Sequence, residues 1–222
     1  MPENVIVDCV TPKPEVCRIL ERQSLAHRFL LRVLDLLFSS AGLLLSLPLF
    51  LIIPVFIKLD SPGRVFFVQR RLGQGGKDIQ IIKFRTMLEG EANGRWTVKD
   101  DPRITRVGQV LRKLHLDELP QLLNVMNGDL SLVGPRPYTR EVFEQLCRVI
   151  PDFSFRLCFK PGLTGWAQLV GRKGDGLEHH IEMLNNDRRY LDQPLTLGIY
   201  LKIVFLTFGY FLSGGAINRI IR

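Results

Sequence analysis

Between Phe29 and Ile57 the chain reads FLLRVLDLLFSSAGLLLSLPLFLIIPVFI, and no other segment limits the available folds as strongly. From Ala41 to Ile57 it carries no charge, close to the shortest length that spans a bilayer as a helix. The run is apolar nearly all round, so a soluble domain would have to enclose it on every side. Pro48 stands in mid-run and Pro54 near its end. A proline inside a helix removes a backbone hydrogen bond and kinks it, and Ser46 lies close enough to satisfy freed backbone groups. Arg22, Arg28 and Arg32 precede the run; Lys58, Arg64, Arg70 and Arg71 follow it. The positive-inside tendency asks for both flanks on the cytoplasmic side. A straight span fails that demand, whereas a re-entrant helix that enters, breaks at Pro48 and returns meets it.

A net charge of +8 suits anionic partners: a phospholipid surface, nucleic acid or a phosphorylated substrate. The polar start with Glu3 and Asp8, before a late apolar run, does not read as a signal peptide. Cys9, Cys17, Cys147 and Cys158 show neither metal-ligand spacing nor a disulfide framework, so the sequence predicts thiols in a reducing compartment.

Asp117-Glu118 is the feature richest in chemistry. It follows an apolar stripe of helical spacing (Ile104, Val107, Val110, Leu111, Leu114) whose other sides carry Arg103, Arg106, Arg112 and Lys113. Leu119 precedes Pro120, which pushes it away from helical geometry, and Pro120 suits the first turn of a new helix through about Val125. The carboxylates are thus expected between two helices, where one attacks phosphorus and the other holds a metal ion. An isolated acid pair is more often a solvated helix end; its company argues otherwise.

That company begins with two short strands at 65–68 and 79–82, joined by a turn at Gly73-Gln74-Gly75-Gly76. Lys83 and Arg85 follow, alternating with apolar residues, so they are expected on one strand face, able to grip an anion. Residues 88–102 read as a loop. Gly134-Pro135-Arg136-Pro137 is a stiff turn presenting one guanidinium, a planar fork suited to phosphate or a base. Lys160 to Trp166 reads as a second stiff turn, and Glu178 to Tyr190 as a helix. The apolar stretch from Leu195 to Leu212 is expected to lie in the membrane interface or pack on the hairpin.

Taken in order, these blocks resemble the bacterial sugar transferase family, the monotopic polyprenyl-phosphate phosphoglycosyl transferases. The resemblance runs from about Arg28 to Gly215. It rests on Lys58-Leu59-Asp60-Ser61-Pro62-Gly63, Lys83-Phe84-Arg85-Thr86-Met87, Asp100-Asp101-Pro102-Arg103-Ile104-Thr105, Leu116-Asp117-Glu118-Leu119-Pro120-Gln121, Asn127 through Pro137, and Lys160 through Gln168. Two departures stand out. Leu47 precedes Pro48 where family members often carry serine, with Ser46 one position earlier. The C-terminal segment is also more apolar than the family's usual amphipathic helix.

The resemblance implies an α+β fold, a mostly helical monotopic membrane enzyme with a re-entrant helix-break-helix, a short β-hairpin and interfacial amphipathic helices. Its parts would be a polar tail (1–24), the re-entrant hairpin (25–58), a cytoplasmic catalytic core (59–193) and an apolar C-terminal segment (194–222). The chain resembles the minimal form, without a further N-terminal transmembrane domain. The implied reaction moves a sugar 1-phosphate from a UDP-sugar to undecaprenyl phosphate at the cytoplasmic face of the bacterial inner membrane, releasing UMP. Asp117 would be the nucleophile and Glu118 the ligand of Mg2+, with Asp117 beside it at the metal. Arg136 would contact the nucleotide or its phosphates, and Lys83, Arg85 and Arg103 would bind phosphate. An aspartate of ordinary pKa is ionised at neutral pH and needs no base. A homo-oligomer through the tail or the apolar C-terminus is left open. A catalytically inactive scaffold and a basic nucleic-acid-binding protein are the competing readings; the intact acid pair opposes the first, and the long apolar runs oppose the second.

Overall fold

The computed structural model describes residues 10–12, 17, 23–90, 101–171, 176–192 and 195–212. Most of the tail, the centre of the 88–102 loop and Arg219 and Arg222 lie outside the described residues.

Helix α1 runs from Leu25 to Asp60 without interruption, capped by Ser24, whose side chain accepts from the His27 N–H. It is the one described helix long and apolar enough to cross a membrane, by length and composition. The sequence predicts a break at Pro48; instead, both prolines lie inside the helix. Ser46 does not reach the Leu44 carbonyl whose donor Pro48 removes. Its hydroxyl donates to the carbonyls of Gly42 (2.7 Å) and Leu43 (3.2 Å). Ser39 likewise donates back to Asp35 and Leu36. Such back-bonding bends a helix while keeping it hydrogen-bonded.

One side of α1 rests on the rest of the chain along its length. The Arg32 guanidinium donates to the carbonyls of Val125 (2.6 Å) and Met126 (2.7 Å). Asp35 is 3 % exposed although it sits in an apolar helix. Its carboxylate accepts from the Ser131 hydroxyl, the Leu132 N–H (2.9 Å) and the Tyr200 hydroxyl (2.8 Å). A buried carboxylate is tolerable only with such donors. Further on, Ile53 and Ile57 pack with Phe84 and Leu111 in a second, smaller core. The opposite side of α1, including Leu37, Leu45 and Leu51, is exposed.

The hairpin forms as the sequence predicts, with longer strands: β1 (Phe66–Leu72) pairs antiparallel with β2 (Asp78–Phe84). The register sets Phe67 opposite Lys83, Gln69 opposite Ile81 and Arg71 opposite Ile79, all on one face. Helix α2 (Arg106–Lys113) is capped by Thr105, and the Asp60 carboxylate accepts from the Val107 N–H at 2.9 Å. Leu111 is buried, whereas Val110 and Leu114 stay exposed. Helix α3 (Gln121–Asn127) ends at Gly128, whose φ of 89° is the left-handed conformation glycine adopts without strain.

A pairing not foreseen from the sequence joins β3 (Ser131–Val133) to β4 (Gly162–Thr164) in parallel. The segment read as a second stiff turn is therefore partly a strand. Gly134 N–H donates to the Thr164 carbonyl, and Gly162 N–H to the Pro135 carbonyl, both at 2.9 Å. The two proline-glycine loops thus clasp each other. Helices α4 (Arg140–Val149), α5 (Trp166–Val170), α6 (Leu177–Leu191) and α7 (Leu197–Leu212) complete the described α-helices. Tyr200 and Ile203 of α7 are fully buried, while Phe205, Phe208 and Phe211 are exposed.

Cys17 and Cys158 are joined in a disulfide, contrary to the expectation of thiols. The two lie 141 residues apart in sequence and 5.1 Å apart at Cα. Spacing along the chain carries no signal of such a contact, which only the folded core creates.

Candidate active site

The acid pair occupies a single 3-10 turn, Leu116–Glu118, between α2 and α3. The turn opens on His115, a non-glycine residue in the left-handed region (φ 55°). Leu119 departs from its expected extended geometry: it is helical, with φ −52° and ψ −40°. Its N–H donates to the Leu116 carbonyl (3.3 Å), and its own carbonyl accepts from the Leu122 N–H (3.1 Å). These bonds, and its place against both apolar cores, offset the pre-proline preference.

Asn124 fixes the distance between this turn and the hairpin. Its side-chain oxygen accepts from the Ile82 N–H (3.0 Å), and its amide donates to the Gln80 carbonyl (2.6 Å). The side chain thereby takes the role of a neighbouring strand along β2. The consequence is at the next residue, where Lys83 Nζ donates to Glu118 Oε1 at 2.6 Å. Arg136 approaches the same oxygen at 3.9 Å. Its loop is held from behind: Arg71 donates to the Pro137 carbonyl (2.6 Å) and Arg156 to the Arg136 carbonyl (3.3 Å).

Lys83 and Arg85 do not act together. Arg85 donates to the carbonyls of Ser61 and Pro62 and reaches the Ile57 carbonyl, closing the end of α1. Strand β2 ends at Phe84, so the alternation that would align the two cations stops between them. Arg103 makes a close ion pair with buried Asp101 (2.6 Å). Its field and that of Asp101 are felt at Arg112.

Two cations that the sequence reading left among the flanking or solvated residues belong to the site. Arg71 shares the hairpin face of Lys83 and lines, with Lys83, Glu118, Gln121 and Arg136, a small cavity. Arg112 lies close enough to Asp117 for mutual attraction and donates to the Thr86 hydroxyl at 2.8 Å. The turn at 73–76 could have revealed Arg71, because it sets the hairpin register. Arg112 lies five residues before Asp117, but the left-handed kink at His115 hides their proximity from helical periodicity.

The two carboxylates differ sharply. Burial works against ionisation of Glu118, yet Lys83 and Arg136 together hold it down at about 2. Burial, with the Glu118 charge beside it, pushes Asp117 up to about 6, against the pull of Lys83 and Arg112. Asp117 is therefore not an ordinary aspartate, though it remains mostly ionised at neutral pH. Environments that drive paired groups apart in this way mark division of labour.

The match to known proteins now has a site to rest on. The family model described as bacterial sugar transferase matches residues 26–214. The chain belongs to that family. A UDP-N-acetylgalactosamine-undecaprenyl-phosphate N-acetylgalactosaminephosphotransferase of Aeromonas hydrophila is 42 % identical over 191 residues, covering 85 % of this chain and 45 % of that protein. A UDP-glucose:undecaprenyl-phosphate glucose-1-phosphate transferase of Escherichia coli K12 is 40 % identical over 185 residues, covering 82 % of this chain and 40 % of that protein. Its namesake from Caulobacter vibrioides is 42 % identical over 180 residues, with 79 % and 67 % covered. The chain thus spans less than half the length of the first two relatives. Within the matched bacterial sugar transferase region lie Asp117, Glu118, Lys83, Arg136, Arg71 and Arg112.

The donor set also fits a hard divalent cation. Mg2+ is commonly held by one or two carboxylates, with substrate phosphates and water completing its shell. Ionised Glu118 and its neighbour Asp117 supply that number. Among the described residues, no group of three or more His, Cys, Asp or Glu could hold a metal ion.

Proposed function

We propose that this chain transfers a sugar 1-phosphate from a UDP-sugar to undecaprenyl phosphate, releasing UMP, as the names of its relatives describe for them. The observation that carries the reading is the split acid pair: Glu118 fully charged among cations, Asp117 raised to about 6 beside it. Arg71, Lys83 and Arg136 outnumber Glu118 on the cavity side, leaving positive charge that suits a diphosphate. The Asp117 carboxylate attacks the phosphorus bearing the sugar. An oxygen–phosphorus bond forms, and the bond to the bridging oxygen of UMP breaks. Undecaprenyl phosphate then attacks the same phosphorus through its own phosphate oxygen, forming the lipid diphosphate and freeing Asp117. Mg2+ held by Glu118, with Asp117 adjacent, would neutralise the diphosphate and ease departure of UMP. Raising Asp117 toward neutrality keeps it basic enough to form the bond while leaving it charged at pH 7.

The test is UMP release by the detergent-purified chain with Mg2+, undecaprenyl phosphate and a panel of UDP-sugars. Release is expected with at least one donor and should stop with chelator. Because the attacking form is the anion, the rate climbs with pH, half-maximal at or below about pH 6, and drops about tenfold per unit beneath that point. Release independent of both chelator and pH between 5 and 8 would overturn the assignment.

The same reading places α1 in the cytoplasmic leaflet of the inner membrane as a bent, re-entrant helix, with the catalytic core at the cytoplasmic face. It is supported by contacts at both ends. Arg32 and Asp35 bind α3 and β3 near one end, while Ile57 packs with Phe84 and Leu111 and Asp60 caps α2 at the other. A straight span would carry one end away from that common body. Single cysteines introduced near Gln23 and after Lys58 should label from the same side of inverted vesicles; labelling from opposite sides refutes re-entry.

A further inference from the structure

Helix α7 touches the acid-pair turn at His115. His115 Nε2 and the Tyr210 hydroxyl lie 3.4 Å apart, with ring centroids 5.6 Å apart. Phe211 meets the same imidazole edge-on at 5.9 Å. Ninety-five residues separate His115 from Tyr210, so this is a contact made by the fold. His115 is also the residue at φ 55°, a conformation uncommon for a side chain with a Cβ and one that persists when its surroundings impose it. Its carbonyl accepts from the Glu118 N–H at 3.3 Å, so its backbone is part of the acid-pair turn.

The two sides of the turn differ in chemistry. Glu118 faces Lys83 and Arg136, the cationic cavity suited to the diphosphate donor. His115 faces α7, where Phe205, Phe208 and Phe211 recur every three residues on an exposed side, 64 %, 61 % and 49 % exposed. An apolar aromatic stripe of that kind meets lipid more readily than water. The second substrate is a phosphate on a long hydrocarbon chain, which must reach Asp117 from the apolar phase.

We propose that His115 and Tyr210 are positioning residues for the lipid phosphate acceptor, coupling the seat of α7 to the turn that carries Asp117. The proposal rests on the transferase reading above. α7 lies along the apolar approach, Tyr210 holds the imidazole, and the imidazole holds the left-handed turn at the angle from which Asp117 presents the phospho-sugar. Loss of the contact leaves the donor side intact, because Lys83, Arg71 and Arg136 are fixed by the hairpin and the clasped loops.

The two half-reactions separate this role from a general structural one. Exchange of labelled UMP into the UDP-sugar, without acceptor, reads donor binding and the Asp117 step. Full turnover with varied undecaprenyl phosphate reads the acceptor. Tyr210→Leu is expected to keep UMP exchange within about twofold and raise the acceptor KM about tenfold, since small misplacement near a reacting centre has large kinetic effects. Tyr210→Phe, which retains the ring packing, should recover most of the loss. Parallel loss of exchange and turnover in folded Tyr210→Leu protein would reduce the pair to scaffolding, and an unchanged acceptor KM would likewise overturn the proposal. Absence of UMP exchange in the unaltered chain would instead overturn the transferase reading on which it rests.

Discussion

Asp117→Asn should release UMP at least about 1,000-fold more slowly than the unaltered chain, while melting at a higher temperature at pH 7.5. The activity loss follows from chemistry: a carboxamide keeps the shape of the side chain but cannot form the proposed acyl phosphate. The gain in stability follows from electrostatics. Asp117 is 9 % exposed and sits beside ionised Glu118, so folding raises its pKa from the ordinary 3.8 to about 6. An acid whose folded pKa is raised destabilises the fold when charged. The penalty is absent below about pH 4, grows between 4 and 6, and above that is on the order of 3 kcal/mol. Asparagine lacks the charge at every pH, so the two melting curves should converge near pH 4 and separate above 6. Activity bought with stability is a common feature of catalytic sites. Normal turnover by Asp117→Asn would remove it as nucleophile; equal melting temperatures at pH 7.5 would remove the electrostatic account.

Lys83→Met should lower kcat/KM for the donor by about 100-fold, whereas Arg85→Met should leave it within a few-fold and lower the melting temperature instead. The two side chains are separated by one residue and read alike in the sequence. Lys83 makes a 2.6 Å ion pair with Glu118, and both partners are largely shielded from water. Removing the ammonium leaves the buried carboxylate without its closest cation, with Arg136 at 3.9 Å, so its pKa rises and the donor phosphates lose a counter-charge. Arg85 instead serves backbone carbonyls at the end of α1, which its loss strands without donors. Donor kinetics and melting curves measured on both variants separate the roles; an exchange of phenotypes would mean that Arg85, not Lys83, grips the donor.

Much of the site was legible because it is local. The acid pair between two helices, the hairpin and its turn, and the stiff Arg136 loop all rest on signals spanning a few residues. What escaped depends on contacts through space. Arg71 joins Lys83 only through the hairpin register. Arg112 meets Asp117 only because His115 turns the chain left-handed. Asp35 interrupts an apolar helix, and its purpose appears only with Ser131, Leu132 and Tyr200 around it. The parallel pairing of β3 with β4 joins segments whose strand signals are three residues each, too short to register as periodicity. The Leu119 expectation failed for a related reason: a local preference yielded to two hydrogen bonds and two apolar cores.

The closure of α1 by Arg85 gives the fold a depth gauge. Arg85 is tied to the carbonyls of Ser61, which caps the apolar helix, and Pro62 just beyond it, and Lys83, two positions earlier, is tied to Glu118. Two residues of extended chain measure roughly 7 Å, and a strand neither stretches nor telescopes appreciably. With α1 seated in lipid as proposed, the height of the reacting carboxylates above the acyl chains becomes a constant of the protein. Acceptors would then be sorted by elevation: a phosphate riding at that level is served, and one floating free in water or sunk too deep is passed over.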